Sequence, residues 1–198
     1  MRHMSTTEPG TAGHHRLETA RLLLRPVTLA DAEAVFEYGS DPEATRYVLF
    51  PTHRSVADAH AWLETVEQSR AAGGTVPWAL ELKENGTVIG TCGFTSWQPS
   101  QAEAEIGYAL SRRFWNRGFA TEAVRAMVRF GFERAGLQRI VARVAPENAA
   151  SWRVLEKVGF EYERTLRDEP ATRPGMETFR VYGITPGLFR RLQESRPG

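Results

Sequence analysis

The residues best suited to chemistry lie between Glu105 and Ala123. Ile106-Gly107-Tyr108-Ala109-Leu110 is an apolar, strand-like run. A short basic turn follows, and then Phe114-Trp115-Asn116-Arg117-Gly118-Phe119-Ala120-Thr121-Glu122-Ala123 opens a helical pattern. A strand that feeds a helix through a tight turn aims several unused backbone N–H groups at one point, and the helix N-terminus adds partial positive charge. That combination suits an anion, phosphate above all. Gly118 and the small Ala120 let a phosphate approach the main chain closely, and Arg117 adds a full charge. The same spacing also fits a plain strand-to-helix connection. The turn lacks both the Walker lysine and the G-x-G-x-x-G fingerprint, which argues against nucleoside triphosphates and dinucleotides.

Other reactive side chains carry less. Cys92, the one cysteine, stands between Thr91 and Gly93 in an apolar stretch and reads as a buried small hydrophobe. It excludes an intrachain disulfide and a cysteine-based zinc cluster. His3, His14 and His15 fall in a polar leader over residues 1–15, where nothing fixes three ligands in one geometry.

The surrounding pattern predicts the elements that position the turn. Arg21 to Arg25 reads as a strand ending at Pro26. Thr28-Leu29-Ala30-Asp31 and Ser55-Val56-Ala57-Asp58 are capping boxes, each opening a helix; the first runs to about Ser40 and the second fades at Gly73-Gly74. Residues 76–82 and 87–97 form a hairpin about Asn85-Gly86, and 103–110 a further strand. Ala120, Val124, Met127, Val128, Gly131 and Ala135 share the apolar stripe of a long helix. On its other face Glu122 with Arg125, and Arg129 with Glu133, stand at ion-pair spacing. Residues 139–145 alternate as a strand. Asn148 caps a short helix that ends at Gly159, and strand material continues from Phe160 through Tyr182. The order β, two helices, three strands, helix, β, helix, β, β implies an α/β domain over residues 16–194, its sheet mixed and mostly antiparallel around a parallel crossover, with helices on both faces.

Composition sets the outer bounds. The 198 residues are 41% hydrophobic and 25% charged, a globular balance long enough to bury about 70% of the unfolded surface. Twenty-five Lys and Arg against twenty-four Asp and Glu leave a net charge of +1, too little for a general nucleic-acid or membrane-surface binder. No run approaches the ~18 apolar residues of a bilayer span, and the first residues lack a signal peptide's apolar centre, so a cytoplasmic protein is expected.

Four strings, in order, resemble one family. Trp115-Asn116-Arg117-Gly118-Phe119-Ala120-Thr121-Glu122-Ala123 is similar to the acyl-CoA pyrophosphate loop of the GNAT superfamily of N-acetyltransferases, in the form found in its ribosomal-protein N-terminal (RimJ/RimL-type) branch. Leu17-Glu18-Thr19-Ala20-Arg21-Leu22-Leu23-Leu24-Arg25 resembles the branch's opening strand, and Glu105-Ile106-Gly107-Tyr108 its fourth strand. Asn148-Ala149-Ala150-Ser151, followed by Leu155-Glu156-Lys157-Val158-Gly159-Phe160, resembles its Asn-x-x-Ser…Leu-Glu-Lys-x-Gly-Phe block. The likeness covers residues 17–192.

The resemblance implies the GNAT fold and direct acetyl transfer from acetyl-CoA to a primary amine, a protein N-terminus or a small molecule, with no metal, nucleic acid or membrane involved. It places the pyrophosphate on Arg117, Gly118, Phe119, Ala120 and Thr121. The pantetheine arm would lie along Ile106, Tyr108 and Leu110, where two strands splay apart, with Asn148 also touching coenzyme A. Glu105 is the implied base, with Glu103 of the same parity as its rival if a bulge near Gly107 turns either one. Ser151 is the implied donor to the leaving thiolate. The family's usual tyrosine acid falls on Leu155, which cannot donate, and Asn116 replaces a common glycine. The acceptor would approach past Phe36, Tyr38, Tyr47, Phe50, His53, Trp78, Trp97 and residues around Arg173. Dimers are common in the branch. Leu155 keeps a second reading open, a silent acyl-CoA-binding module.

Overall fold

A computed structural model describes residues 15–48, 50–167 and 176–194. Apart from His15, the expected leader lies outside the described residues, as does the segment around Arg173. The strands are β1 (Leu17–Glu18), β2 (Leu22–Pro26), β3 (Trp78–Leu82), β4 (Val88–Gln98), β5 (Glu103–Leu110), β6 (Arg139–Val144), β7 (Glu161–Arg167) and β8 (Thr178–Ile184). The helices are α1 (Ala32–Gly39), α2 (Val56–Ala71), α3 (Phe119–Glu133), α4 (Ala149–Val158) and α5 (Pro186–Glu194). Both capping boxes form at the predicted residues.

All eight strands join one sheet in the order β1-β2-β3-β4-β5-β6-β8-β7. β5 and β6 are the parallel pair, bridged by α3, and the other neighbours run antiparallel. Strand alternation sorts the core into two layers. Leu22, Leu24, Leu80, Ile106, Ile140 and Ile184 pack with Val124, Met127 and Leu155 of α3 and α4. Val27, Ala79 and Ala109 face the other way, against Val35 and Tyr38 of α1 and Leu63 of α2. Cys92 is buried as expected, and burial pushes its thiol well up.

Two elements escaped the sequence pattern. β1 is only two residues long, and α5 follows β8 with Phe189 as its buried anchor. An irregularity near Gly107 is present, but on the facing strand. Gly107 pairs regularly with Gly93, and the extra residue is Thr95 of β4, where the register shifts between Phe94 opposite Ile106 and Ser96 opposite Glu105.

α1 is tied to the sheet by charge. Arg25 of β2 donates to Asp31 Oδ1 at 2.7 Å and Oδ2 at 2.9 Å, and to Glu81 of β3 at 2.5 Å. Burial opposes ionisation of Asp31, but the Arg25 guanidinium and the Thr28 N–H outweigh it and hold the carboxyl below its ordinary value. Stability from this pair is therefore present above the unfolded carboxyl pKa of ~3.9 and is lost as pH falls through the lower folded value. Asp31→Asn is expected to cost about 2–3 kcal/mol near neutrality. The gap between variant and wild type should close in acid; urea titrations across that range that keep it constant would exclude the pair as its source.

Candidate active site

The sheet opens where the sequence places its reactive residues. β5 and β6 pair only at Glu103 with Arg139, Ala104 with Ile140 and Glu105 with Val141. Beyond that point β5 stays with β4 as far as Leu110, while β6 stays with β8 through Val144 opposite Arg180. Each strand follows its other neighbour, so residues 106–110 have no strand partner on the β6 side. The expected splay is thus present. The side chains of Ile106 and Leu110 point into the core, which leaves this stretch its main chain to offer a ligand.

The turn after β5 is where the anion cradle is expected. Arg112–Phe114 make one 3-10 turn, and Trp115 Nε1 donates to the Leu110 carbonyl at 3.0 Å. Asn116 then takes φ 58° and Gly118 φ 81°, two left-handed residues that swing the chain into α3. The first helical bond runs from the Glu122 N–H to the Gly118 carbonyl. Among the described residues, none of the N–H groups from Asn116 to Thr121 finds an acceptor. Asn116, Arg117 and Gly118 are exposed. The Arg117 guanidinium stacks 5.3 Å from the Phe119 ring and 5.5 Å from Phe114.

A third component crosses toward the gap. The Tyr108 hydroxyl lies 2.8 Å from Ser151 Oγ and donates to the Ser151 carbonyl at 3.1 Å. Asn148 Oδ1 accepts from the Ser151 N–H at 3.1 Å, so the capping amide fixes the same first turn of α4. Burial pushes the Tyr108 phenol far up, which keeps it protonated. Leu155 is 0% exposed and packs into the core.

The opposite face of the gap is charged. Glu105 shares the face of Ala109, and Arg143 of β6 donates to both its oxygens, at 3.0 and 3.1 Å. Arg143 also stacks 5.6 Å from the Phe179 ring. Glu103 accepts from Arg139 at 2.8 Å, and Arg139 further pairs with Glu163. Glu103 lies within the paired part of β5, whereas Glu105 marks the mouth of the opening.

The aromatic acceptor surface is only partly as expected. Phe36 and Phe50 line the α1–α2 layer, where Phe50 stacks on His53 at 5.3 Å; Tyr47, in the same connection, is half-buried. Tyr38 is buried, its hydroxyl 3.1 Å from Thr91 Oγ1. Trp78 and Trp97 belong to the other face, toward Phe94 under α3: strand alternation turns Trp78 there, and the extra residue Thr95 resets the alternation of β4 so that Trp97 returns to the face of Phe94. The Glu122–Arg125 pair is likewise corrected. Glu122 turns to Thr19 and Arg21 at the start of the chain, a partnership that local spacing could not reveal.

Comparison with known proteins bears on this geometry. A family described as "Acetyltransferase (GNAT) domain" matches residues 21–161. A protein named "Uncharacterized N-acetyltransferase p20" from Bacillus licheniformis is 39% identical over 152 residues, 77% of this chain and 85% of that one. An FsC-acetyl coenzyme A-N(2)-transacetylase from Aspergillus fumigatus is 30% identical over 186 residues, covering 90% of this chain and 79% of its own. Among solved structures, Mycobacterium smegmatis RimJ in complex with CoA-disulfide superimposes with a TM-score of 0.74 at 22% identity, over 95% of this chain and 97% of that one.

The left-handed Asn116 yields a direct check on the cradle. Asn116→Ala should lose roughly 1 kcal/mol of stability, whereas Asn116→Gly should lose none. Equal denaturation midpoints for the two variants would mean that the loop does not hold this backbone conformation.

Proposed function

Because the chain belongs to the GNAT acetyltransferase family, we propose that this N-acetyltransferase carries the acetyl group of acetyl-CoA to the primary amine of a small molecule or a peptide N-terminus, acting in the cytoplasm. The observation that carries the site reading is continuity: six unclaimed amides, from Asn116 to Thr121, adjoin the unpartnered edge of β5. The diphosphate rests on the amides, supported by Arg117. The pantetheine amides extend the sheet along residues 106–110, and Asn148 and Ser151 border the arm from α4. The Aspergillus relative's name puts its own transfer on an N(2) nitrogen, which supports a nitrogen acceptor here.

Positioning supplies much of the rate in such a transfer. The neutral amine nitrogen attacks the thioester carbon; the C–N bond forms and the C–S bond breaks. A β5 backbone N–H steadies the oxyanion. Glu105 takes the amine proton. Arg143 fixes that carboxylate through both oxygens, yet each oxygen keeps a further lone pair for the acceptor. The Ser151 hydroxyl, held within reach by Tyr108, turns its proton from the Tyr108 oxygen to the departing sulfur.

The test is release of free thiol from acetyl-CoA across N-terminal peptides, polyamines and aminoglycosides. Turnover with none of these classes would count against the acceptor reading. Glu105→Gln should lower kcat about 100-fold while coenzyme A still raises Tm. Undiminished turnover would pass the base role to Glu103 or water. Ser151→Ala should lower kcat about tenfold or more at unchanged coenzyme A affinity. Gly118→Glu should abolish the Tm shift, since it puts bulk and negative charge into the cradle.

A further inference from the structure

We infer that Arg21, on the turn between β1 and β2, is a positioning residue for the phosphate cradle, and that it links donor binding to the order of this N-terminal hairpin. The inference rests on the donor site proposed above. Arg21 grips the loop at three successive places. Its Nη1 donates to the Arg117 carbonyl at 3.0 Å. Its guanidinium carbon lies 4.2 Å over the Phe119 ring. Its Nε and Nη2 meet Glu122 Oε2 at 2.7 and 2.6 Å. Its backbone N–H adds a bond to Glu122 Oε1 at 2.8 Å, and the Thr19 hydroxyl donates to the same oxygen at 2.6 Å. The two hairpin residues therefore receive the whole Glu122 carboxylate. Only a planar fork can reach a carbonyl, a ring and a carboxylate at once; a lysine ammonium cannot.

The reason for the arrangement is electrostatic as well as geometric. A carboxylate in the first turn of α3 favours the helix dipole. The same charge repels a diphosphate seated on the preceding amides. Burial opposes ionisation of Glu122, but Thr19 and Arg21 outweigh it and hold the carboxyl below its ordinary value, so the charge is present and must be cancelled. Arg21 cancels it while leaving the amides of 116–121 unclaimed. With its three nitrogens engaged by Glu122 and Arg117, Arg21 shapes the site and leaves the contact to the loop.

Calorimetry of coenzyme A binding to the wild type, Arg21→Ala, Glu122→Ala and the double variant tests the idea. Arg21→Ala should weaken binding about tenfold or more, with kcat at saturating acetyl-CoA within about threefold of wild type. The double variant should bind at least about threefold tighter than Arg21→Ala, because it loses the repulsion along with the brace. Wild-type affinity in Arg21→Ala, or a double variant weaker than either single one, overturns the inference. If Arg21→Ala does not fold, hydrogen exchange on the wild type decides. Saturating coenzyme A should slow exchange of the Arg21 amide about tenfold and leave the remote Gly86 turn amide unchanged; an unmoved Arg21 amide overturns the link. A wild type that shows no heat with coenzyme A overturns the donor site itself, a result distinct from either of these.

Discussion

The site depends on a hydrogen-bond ladder that stops early. β5 and β6 share three residue pairs and then part, each held by the antiparallel neighbour on its far side. A main-chain edge inside a sheet is costly to leave without partners, on the order of 1–3 kcal/mol for each buried group. The fold thus creates a strand-shaped vacancy that an extended, amide-bearing molecule can complete, as peptides do when they add to a sheet edge. The pantetheine arm of coenzyme A has that chemistry. Thr95, the extra residue of β4, sits opposite the last paired residue of β5, so the irregularity in one ladder adjoins the end of the other.

The cradle at the end of β5 uses no large charge excess. The chain carries a net charge of only +1, and the proposed anion site is a run of unclaimed amides with Arg117 beside them. Local dipoles suffice because the groups are held in place. Two left-handed residues turn the chain, Phe119 anchors the start of α3 in the core, and the N-terminal hairpin closes over Glu122. Segments a hundred residues apart in sequence meet here, which makes the cradle a property of the whole sheet rather than of one loop.

The two faces of the opening differ in kind. Toward α4 stand hydroxyls and a capping amide: Tyr108, Ser151 and Asn148. On the face of Ala109 stand paired charges, Glu105 with Arg143 and Glu103 with Arg139 and Glu163. A sulfur leaving toward the hydroxyls and an amine arriving from the carboxylates would each meet the group it needs. A Cβ at Gly183 would lie 2.0 Å from the Glu163 carboxylate, so a side chain there would push that carboxylate aside.

Local chemistry wrote much of this into the sequence. The capping boxes, the Asn85-Gly86 turn, the apolar stripe of α3 and the Asn148 cap each depend on residues a few positions apart, and each formed where the pattern placed it. The unusual backbone of the cradle could be read from Asn116 and Gly118, residue types that tolerate left-handed angles. Side-chain partners across the sheet could not. Which face Trp78 occupies follows from strand parity in a sheet whose order is a global property, and Trp97 reaches the same face through the extra residue Thr95. That Glu122 meets Arg21 instead of Arg125, that Tyr108 meets Ser151, and that Arg143 holds Glu105 all require strands and helices distant in sequence to be packed first. Periodicity fixes which residues share a side of one element; only the closed core fixes what that side confronts.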